Sequence, residues 1–311
     1  MLKAWLFRLH RWLALGFAVP LALLIATGAI LSVEPILQTV KLSPGELTLA
    51  RIDGWLAAKD PAGKARGLSY RNYDGRLTIQ GVPERGNVTL DTATGLQAAD
   101  GGLAGFFGAS RRLHEHLLFE LDWLVIGSTI AMVVLMLMGV AMGLPRLRNT
   151  LGGWHKGVAW FGLPLLIASP ITGLFIAFGI SLAPAGGPGG RGEEPLPLRE
   201  ALAIVARDKD PSQLIWLRMR GGRQLVRLNE NGAFNVYSVT RAGLSETPKN
   251  WPRLIHEGNF AGIWSGALNL AISLALAGLL GTGFAIWLRR RLRPRRRDRR
   301  ANPVAPPALA S

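Results

Sequence analysis

The sequence predicts an all-α integral membrane protein with four transmembrane helices, which carries small α+β modules on one side of the membrane. Of its 311 residues, 49% are hydrophobic, and its mean hydropathy is positive. Both values are too high for an ordinary soluble protein. Four stretches are nearly free of charge and long enough to cross a hydrocarbon core of about 30 Å. These predicted spans are residues 12–33, 121–143, 157–181 and 263–288.

The basic residues give the orientation of the spans. Of the formal net charge of +16, +14 falls on one side of the membrane, where 15 basic residues stand against the single acid Asp298. Short basic flanks stay in the cytoplasm, so we expect both termini there. The charge therefore reports topology, and nucleic acid is not an expected partner. The basic residues are Lys3, Arg8, Arg11, Arg146, Arg148, Lys156 and nine arginines within 289–300.

The first span follows basic residues, as the apolar part of a secretory signal peptide does. It is longer than a signal peptide needs, and no small-x-small cleavage site follows it before Glu34. We therefore expect a retained membrane anchor. The chain has no cysteine, which excludes disulfides and cysteine-ligated iron–sulfur clusters.

The two polar segments are predicted to fold as similar α+β modules. Each has a helical pattern, at residues 48–60 and 198–208, followed by alternating stretches separated by glycine turns. A flexible linker, APAGGPGGRGEEPLP, precedes the second module. The predicted organisation is 1–33 (N-terminus and first span), 34–116 (first module), 117–181 (second and third spans with a short cytoplasmic loop), 182–258 (linker and second module), 259–290 (fourth span) and 291–311 (Arg- and Pro-rich cytoplasmic tail).

The two halves of the chain carry the same landmarks. When His10 is aligned with His155, Thr27-Gly28 falls on Thr172-Gly173, because each threonine follows its histidine by 17 residues. The repeated order of span, module and span supports this alignment. The sequence therefore predicts two copies of one unit that run parallel to each other.

All five histidines lie next to the ends of predicted spans. A single histidine there is explained by the lipid headgroup boundary, where an amphipathic ring is stable. Taken together, however, topology and duplication sort the histidines into two groups. The inner pair is His10 and His155, and the outer group is His114 or His116 with His256.

Each group of histidines suits a b-type haem, whose axial ligands are two neutral imidazoles on facing helices. Structural zinc is a weaker hypothesis because zinc takes about four ligands and the chain has no cysteine. A metal site of two histidines and a carboxylate is a further alternative on the outer side. The carboxylates nearby in sequence are Glu115, Glu120, Asp122 and Glu257, and the glycines that would let a large ring approach the backbone are Gly157, Gly162, Gly258 and Gly262.

Four phrases that contain histidine occur in order: LHRWLALGFAVPLALLIATGAIL, RRLHEHLLF, GWHKGVAWFGLPLLIASPITGLF and LIHEGNFAGIWSGALNLAISLALAGLLGTGFAIWLRRR. Together they resemble the PepSY-associated transmembrane family, and NVTLDTATGLQ resembles the end of a PepSY module. This family includes iron-regulated bacterial inner-membrane proteins and ferric-siderophore reductases.

The resemblance implies a bacterial inner-membrane protein with two haems b, one near each membrane face. By position, the inner haem would be held by His10 and His155, and the outer haem by His256 with His114. The family phrase has Leu-His before an apolar run, which favours His114 over His116. These histidines are thus the expected iron ligands.

The function implied by the resemblance is electron transfer across the membrane to a ferric chelate, such as a ferric siderophore, outside. The electron donor stays open between a cytoplasmic one-electron donor and a quinol in the bilayer. No catalytic acid, base or nucleophile is expected, because the sequence has no Ser-His-Asp pattern, phosphate-binding glycine loop or carboxylate pair at useful spacing. The alternatives are a haem-free binding or regulatory protein, since PepSY modules are also associated with restraint of peptidases, and a structural partner of a transporter.

Overall fold

The structure is a computed structural model that describes residues 2–99, 101–118, 120–144, 148–184 and 195–292. Three features expected from the sequence lie outside these described residues. They are the tail from residue 293 onward, most of the linker, and Arg146 of the cytoplasmic loop.

Helices and strands follow each other in two blocks of similar order. The helices are α1 (Leu2–Gly16), α2 (Ala18–Val40), α3 (Leu49–Lys59), α4 (Gly102–His116), α5 (Asp122–Ala141), α6 (Leu151–Phe161), α7 (Leu163–Ala177), α8 (Leu198–Asp208), α9 (Trp251–Glu257) and α10 (Gly262–Leu292). The strands are β1 (Gly67–Arg71), β2 (Arg76–Val82), β3 (Gly86–Asp91), β4 (Leu214–Arg220), β5 (Arg223–Glu230), β6 (Ala233–Thr240) and β7 (Gly243–Glu246).

Long apolar helices make up the membrane part of the protein. Within the described residues, α2, α5 and α10 are each long and apolar enough to cross a membrane. The consecutive helices α6 and α7 make a fourth span if the bent pair counts as one. We refer to α2, α5, α6 with α7, and α10 as the spanning helices.

The first spanning helix extends further than the sequence predicts, to Val40 rather than residue 33. It continues through Glu34, which is only 6% exposed. The Glu34 carboxylate accepts a hydrogen bond from Tyr73 at 2.8 Å and pairs with Arg111. Because its charge is compensated in this way, Glu34 can be buried within the helix at little cost.

The third predicted span, 157–181, is broken into two helices that meet at an angle of 66°. The break lies at Gly162, and Pro164 stands in the first turn of α7. Proline has no backbone N–H to donate, so it is well suited to the first turn of a new helix. The break separates the segment with His155 from the apolar helix that follows.

The strands form one seven-stranded antiparallel sheet in the order β3-β2-β1-β4-β5-β6-β7. Strands β1 to β3 come from the first polar segment and β4 to β7 from the second. The two groups join where β1 pairs with β4, with Gly67 opposite Arg218 and Ser69 opposite Trp216. The two small modules expected from the sequence thus share a single sheet.

One face of the sheet is covered by α3 and α8 and holds the main hydrophobic core. Fully burying a large aliphatic side chain contributes about 1.5–3 kcal/mol, so this cluster accounts for much of the stability of the sheet. Residues of the cluster that are at most 1% exposed include Ile52, Leu56, Leu68, Leu202, Val205, Leu217 and Val226.

The opposite face of the sheet lies on the ends of the membrane helices. Asn72 and Asn229 both donate hydrogen bonds to the backbone oxygen of Gln38, near the end of α2. Phe234 of β6 donates its backbone N–H to Asn259, just after α9. These contacts hold the sheet directly above the histidines of the outer group.

Candidate functional site

The outer histidines come together on two short helices. His114 of α4 and His256 of α9 have ring centres 6.0 Å apart and ring planes inclined by 46°. Both rings face neighbouring spanning helices, α2 for His114 and α7 for His256. The structure therefore brings two residues that are 142 positions apart into one site.

Hydrogen bonds fix the tautomer of His114. Its Nδ1 lies 2.9 Å from the Thr27 hydroxyl, and that hydroxyl donates its own hydrogen to the backbone oxygen of Leu23 at 2.6 Å. Since the Thr27 oxygen is then left to accept, Nδ1 of His114 carries the hydrogen. Nε2 keeps its lone pair, which is the arrangement of a histidine that binds a metal through Nε2.

Hydrogen bonds with different partners fix the same tautomer in His256. Its Nδ1 lies 3.0 Å from the backbone oxygen of Ser169 and 3.3 Å from the Thr172 hydroxyl. A carbonyl oxygen can only accept, so Nδ1 of His256 also carries the hydrogen. The two rings of the outer pair thus both present an unprotonated Nε2.

Burial keeps both outer rings neutral. It lowers the pKa of His114 to about 4, with a further contribution from a charge on His256, and it also lowers the pKa of His256. Both residues stand on helices outside the spanning helices. A neutral imidazole is the form that binds a metal, so the outer pair is in its ligand form at neutral pH.

The inner histidines line one large cavity at the other end of the helices. His10 of α1 and His155 of α6 both border a space of about 1180 Å³ between α1, α5, α6 and α10. Nδ1 of His155 lies 2.9 Å from the Thr282 hydroxyl, which donates to the backbone oxygen of Gly278 at 2.7 Å. His155 therefore has the same tautomer as the outer rings.

Three of the four paired rings, those of His114, His256 and His155, rest on a spanning helix in the same way. The ring contacts the backbone of one residue, a threonine follows three residues later, and a glycine follows directly after it. A Cβ added at Gly173 would lie 3.1 Å from Cε1 of the ring, which is tighter than an ordinary contact, whereas a Cβ at Gly28 (3.4 Å) or Gly283 (3.5 Å) would make an ordinary van der Waals contact with it. We call this arrangement the Thr-Gly step; its members are Leu24, Thr27 and Gly28 for His114, Ser169, Thr172 and Gly173 for His256, and Leu279, Thr282 and Gly283 for His155.

His10 has an incomplete version of this step. It contacts the backbone of Leu135 on α5, and the residues three and four positions later are Met138 and Gly139. Met138 occupies the place of the threonine and offers no hydroxyl. In keeping with this, Nδ1 of His10 is buried and forms no hydrogen bond with the described residues.

His116, the alternative outer ligand, lies apart from the pair. Its side chain is exposed, and its Nδ1 is 2.7 Å from the carboxylate of Asp122. This hydrogen bond raises the pKa of His116. The structure thus groups His114, and not His116, with His256.

Neither the carboxylates nor most glycines singled out in the sequence join the histidine pairs. No group of three or more His, Asp or Glu side chains in the described part of the chain is placed to hold a metal ion. Glu257 pairs instead with Arg227 and Arg253. Gly162 and Gly258 serve close packing, against Val158 and Leu166 and against Ser265 and Gly266 respectively.

Alignment of the two halves of the chain identifies Thr27 and Thr172 as equivalent but gives them no role. Thr282 was missed altogether, because the fourth span contains no histidine from which to set a register. The signal that identifies all three is the Thr-Gly dipeptide in an apolar span.

Comparison with known proteins adds one finding on the whole chain. The model of a family described as the PepSY-associated TM region matches residues 7–290. All four paired histidines lie within the matched residues. No curated protein matches the chain.

Proposed function

The chain belongs to the family of the PepSY-associated TM region, and from this premise we propose that it is a di-haem electron-transfer protein of the bacterial inner membrane. In this proposal it carries electrons from the cytoplasmic side to ferric chelates, such as ferric siderophores, in the periplasm. Its two halves are parallel copies of one unit, and each pair of histidines combines one residue from each half.

The observation that carries the proposal is the geometry of the outer pair. A metal bound between two imidazole nitrogens at about 2 Å from each sets the ring centres roughly 6 Å apart. The ring centres of His114 and His256 are 6.0 Å apart, and both rings keep Nε2 free. These features support a site for a metal with two axial histidines.

The inner cavity supports the same use by its size and lining. Cofactor and ligand sites commonly measure about 300–1,000 Å³, and the cavity of about 1180 Å³ is large enough for a macrocycle. Its walls are mainly apolar, as a haem ring requires. Basic side chains at its cytoplasmic end suit the carboxylates of a b-type haem; they are Lys3, Arg8, Arg11, Arg148, Lys156, Arg290 and Arg291.

The two sites are separate. On the continuous helix α10, Asn269 donates a hydrogen bond to the backbone oxygen of His256 and Thr282 contacts His155. The 13 residues between them correspond to about 20 Å of helix, so a single planar group cannot reach both pairs. When bound, the haems supply one-electron carriers near each membrane face. The protein's part is to orient each imidazole through a Thr-Gly step and to keep the sites within apolar walls.

Haem content tests the proposal. Protein purified in detergent after expression with ample haem should show a low-spin b-type spectrum, with about two haems per chain. The haems should be extractable, because the chain has no cysteine for covalent attachment. A folded protein without a Soret band would contradict the proposal and favour the haem-free binding or regulatory function.

A further inference from the structure

Six arginines gather between the sheet and the outer histidines. They lie on the face of the sheet opposite the hydrophobic core and on the two short helices that carry the outer pair. We call them the arginine cluster: Arg71 of β1, Arg111 of α4, Arg218 and Arg220 of β4, Arg227 of β5 and Arg253 of α9.

Two glutamates compensate part of this charge. Glu257 binds Arg227 at 2.8 Å and Arg253 at 2.9 Å. Glu34 pairs with Arg111 and lies 3.6 Å from Arg71. Six cations against two paired anions leave an excess of positive charge next to the outer histidines.

Within the described part of the chain, neither Arg218 nor Arg220 forms an ion pair, although the charge of Glu257 acts on Arg220. Burial and the charges of neighbouring arginines lower the pKa of both. Arg218 stacks on the ring of Trp216, with its guanidinium carbon 4.6 Å from the ring centre. Nearby, Nε of Arg227 is buried without a hydrogen-bond partner. The half-buried Arg218, stacked on Trp216, and the exposed Arg220 thus offer donors to an anion that is not part of the protein.

Four of the six arginines form two pairs that differ in their place in the fold. Arg111 and Arg253 each stand three residues before a histidine of the outer pair, so they share a helix face with it. Arg218 and Arg220 stand on the sheet, with side chains on the same face as Trp216 because residues alternate along a strand. The first group is therefore close to the outer pair itself, and the second faces the space above it.

We propose that Arg218 and Arg220 bind an anionic ferric chelate with carboxylate groups. This inference rests on the proposed function and names the class of its substrate. Guanidinium groups bind carboxylates through paired, charge-assisted hydrogen bonds, and stacking on Trp216 holds one of them in place. A chelate bound here lies beside the outer pair, where its Fe(III) takes up the one electron that the proposed function delivers and becomes Fe(II).

Gallium(III) citrate, which has the same charge and ligands as an anionic ferric chelate but is inert to reduction, probes the site in the full-length protein. The double variant Arg218→Gln/Arg220→Gln should weaken its binding about tenfold or more in calorimetric titration, since both charge-assisted hydrogen-bond donors are removed. Arg218→Lys/Arg220→Lys, which keeps the charge, should retain part of the affinity. Arg85→Gln, at the exposed turn between β2 and β3, is the matched control and should bind as the wild type does.

A neutral complex, gallium(III) tris(acetohydroxamate), should bind the wild type and the double variant alike. Equal binding of gallium citrate to the wild type and to a folded double variant would overturn the proposal.

The carboxylates that these arginines bind could belong to the chelate or to the outer haem, and the haem content of the double variant distinguishes the two. It should stay at the wild-type value; loss of one haem would assign these arginines to the carboxylates of the outer haem and overturn the proposal. If the wild type contains no haem but binds gallium citrate through these arginines, the proposed function fails while the anion site stands.

Discussion

Three of the four paired histidine rings rest on the same small motif of a spanning helix. A threonine hydroxyl whose hydrogen is already bound to its own helix accepts the ring N–H, and the glycine that follows the threonine lies against the ring. Such a partner fixes the tautomer and makes the imidazole a stronger base. At His10, Met138 replaces the threonine, so of the two inner histidines only His155 has a hydroxyl partner.

Substitution at position 138 tests this difference. Met138→Thr should give Nδ1 of His10 the partner that His155 has, and should lower the reduction potential of the inner haem, because a more basic ligand stabilises Fe(III). Met138→Val, which matches threonine in size but has no hydroxyl, is the control. Thr282→Val should have the opposite effect and raise the reduction potential of the inner haem. It should also weaken haem retention at the inner site by about tenfold or more. Redox titration of the purified variants measures the potential; equal values for Met138→Thr and Met138→Val would contradict the role given to the hydroxyl.

At the scale of elements, the outer histidines stand on short helices and not at the beginnings of the spans. Helix α4 ends at His116 and α5 begins at Asp122, whereas α9 ends at Glu257 and α10 begins at Gly262. The second connection could be predicted as a turn from the sequence, because the two residues that adopt positive φ there, Gly258 and Gly262, are glycines. The first could not, because its positive-φ residues are Leu117 and Glu120, which carry no such signal in the sequence.

A polar contact joins the end of α8 to the sheet. Glu230 of β5 accepts hydrogen bonds from Lys209, which follows α8, and from Asn235 and Tyr237 of β6. Burial alone would raise the pKa of Glu230, but these hydrogen bonds outweigh it and hold the pKa below its ordinary value. Stability from this contact is therefore fully present above the unfolded pKa of about 4.5 and is lost as the pH falls towards the lower folded pKa.

Glu230→Gln should lower the free energy of unfolding by about 1–2 kcal/mol at neutral pH. It should also reduce the loss of stability between pH 7 and pH 4, because the titrating carboxylate is gone. Thermal unfolding of the full-length protein in detergent measures both effects. Glu200→Gln is the control, since Glu200 forms only an exposed pair with Arg241 and should leave the pH profile unchanged. An unaltered pH profile in Glu230→Gln would contradict the account of this contact.

At the scale of the whole molecule, the two halves meet in the sheet and at the histidine pairs. The helical patterns at 48–60 and 198–208 and the glycine turns could be predicted because they are local; the structure has helices at Leu49–Lys59 and Leu198–Asp208. The pairing of β1 with β4 joins residues about 150 positions apart and has no local signature. For the same reason, the contact of His114 with Thr27 could not be predicted, although both residues stood out in the sequence.

The expected orientation of the molecule rests on the distribution of its basic residues. A reporter that is active only in the cytoplasm should be active when fused after Ser311. Alkaline phosphatase, which is active only outside the cytoplasm, should be active when inserted at Arg85, in the turn between β2 and β3 on the sheet. The reverse pattern would exchange the inner and outer sites.

The central claim is that two separate histidine pairs each hold one haem, and counting haems per chain in histidine variants tests it most directly. His155→Ala should keep only the outer haem, His256→Ala and His114→Ala should keep only the inner haem, and His116→Ala should keep both. Each variant should thus contain about one haem, or two for His116→Ala, by quantitative haem extraction from folded protein. Loss of both haems in a folded His155→Ala protein would contradict the claim.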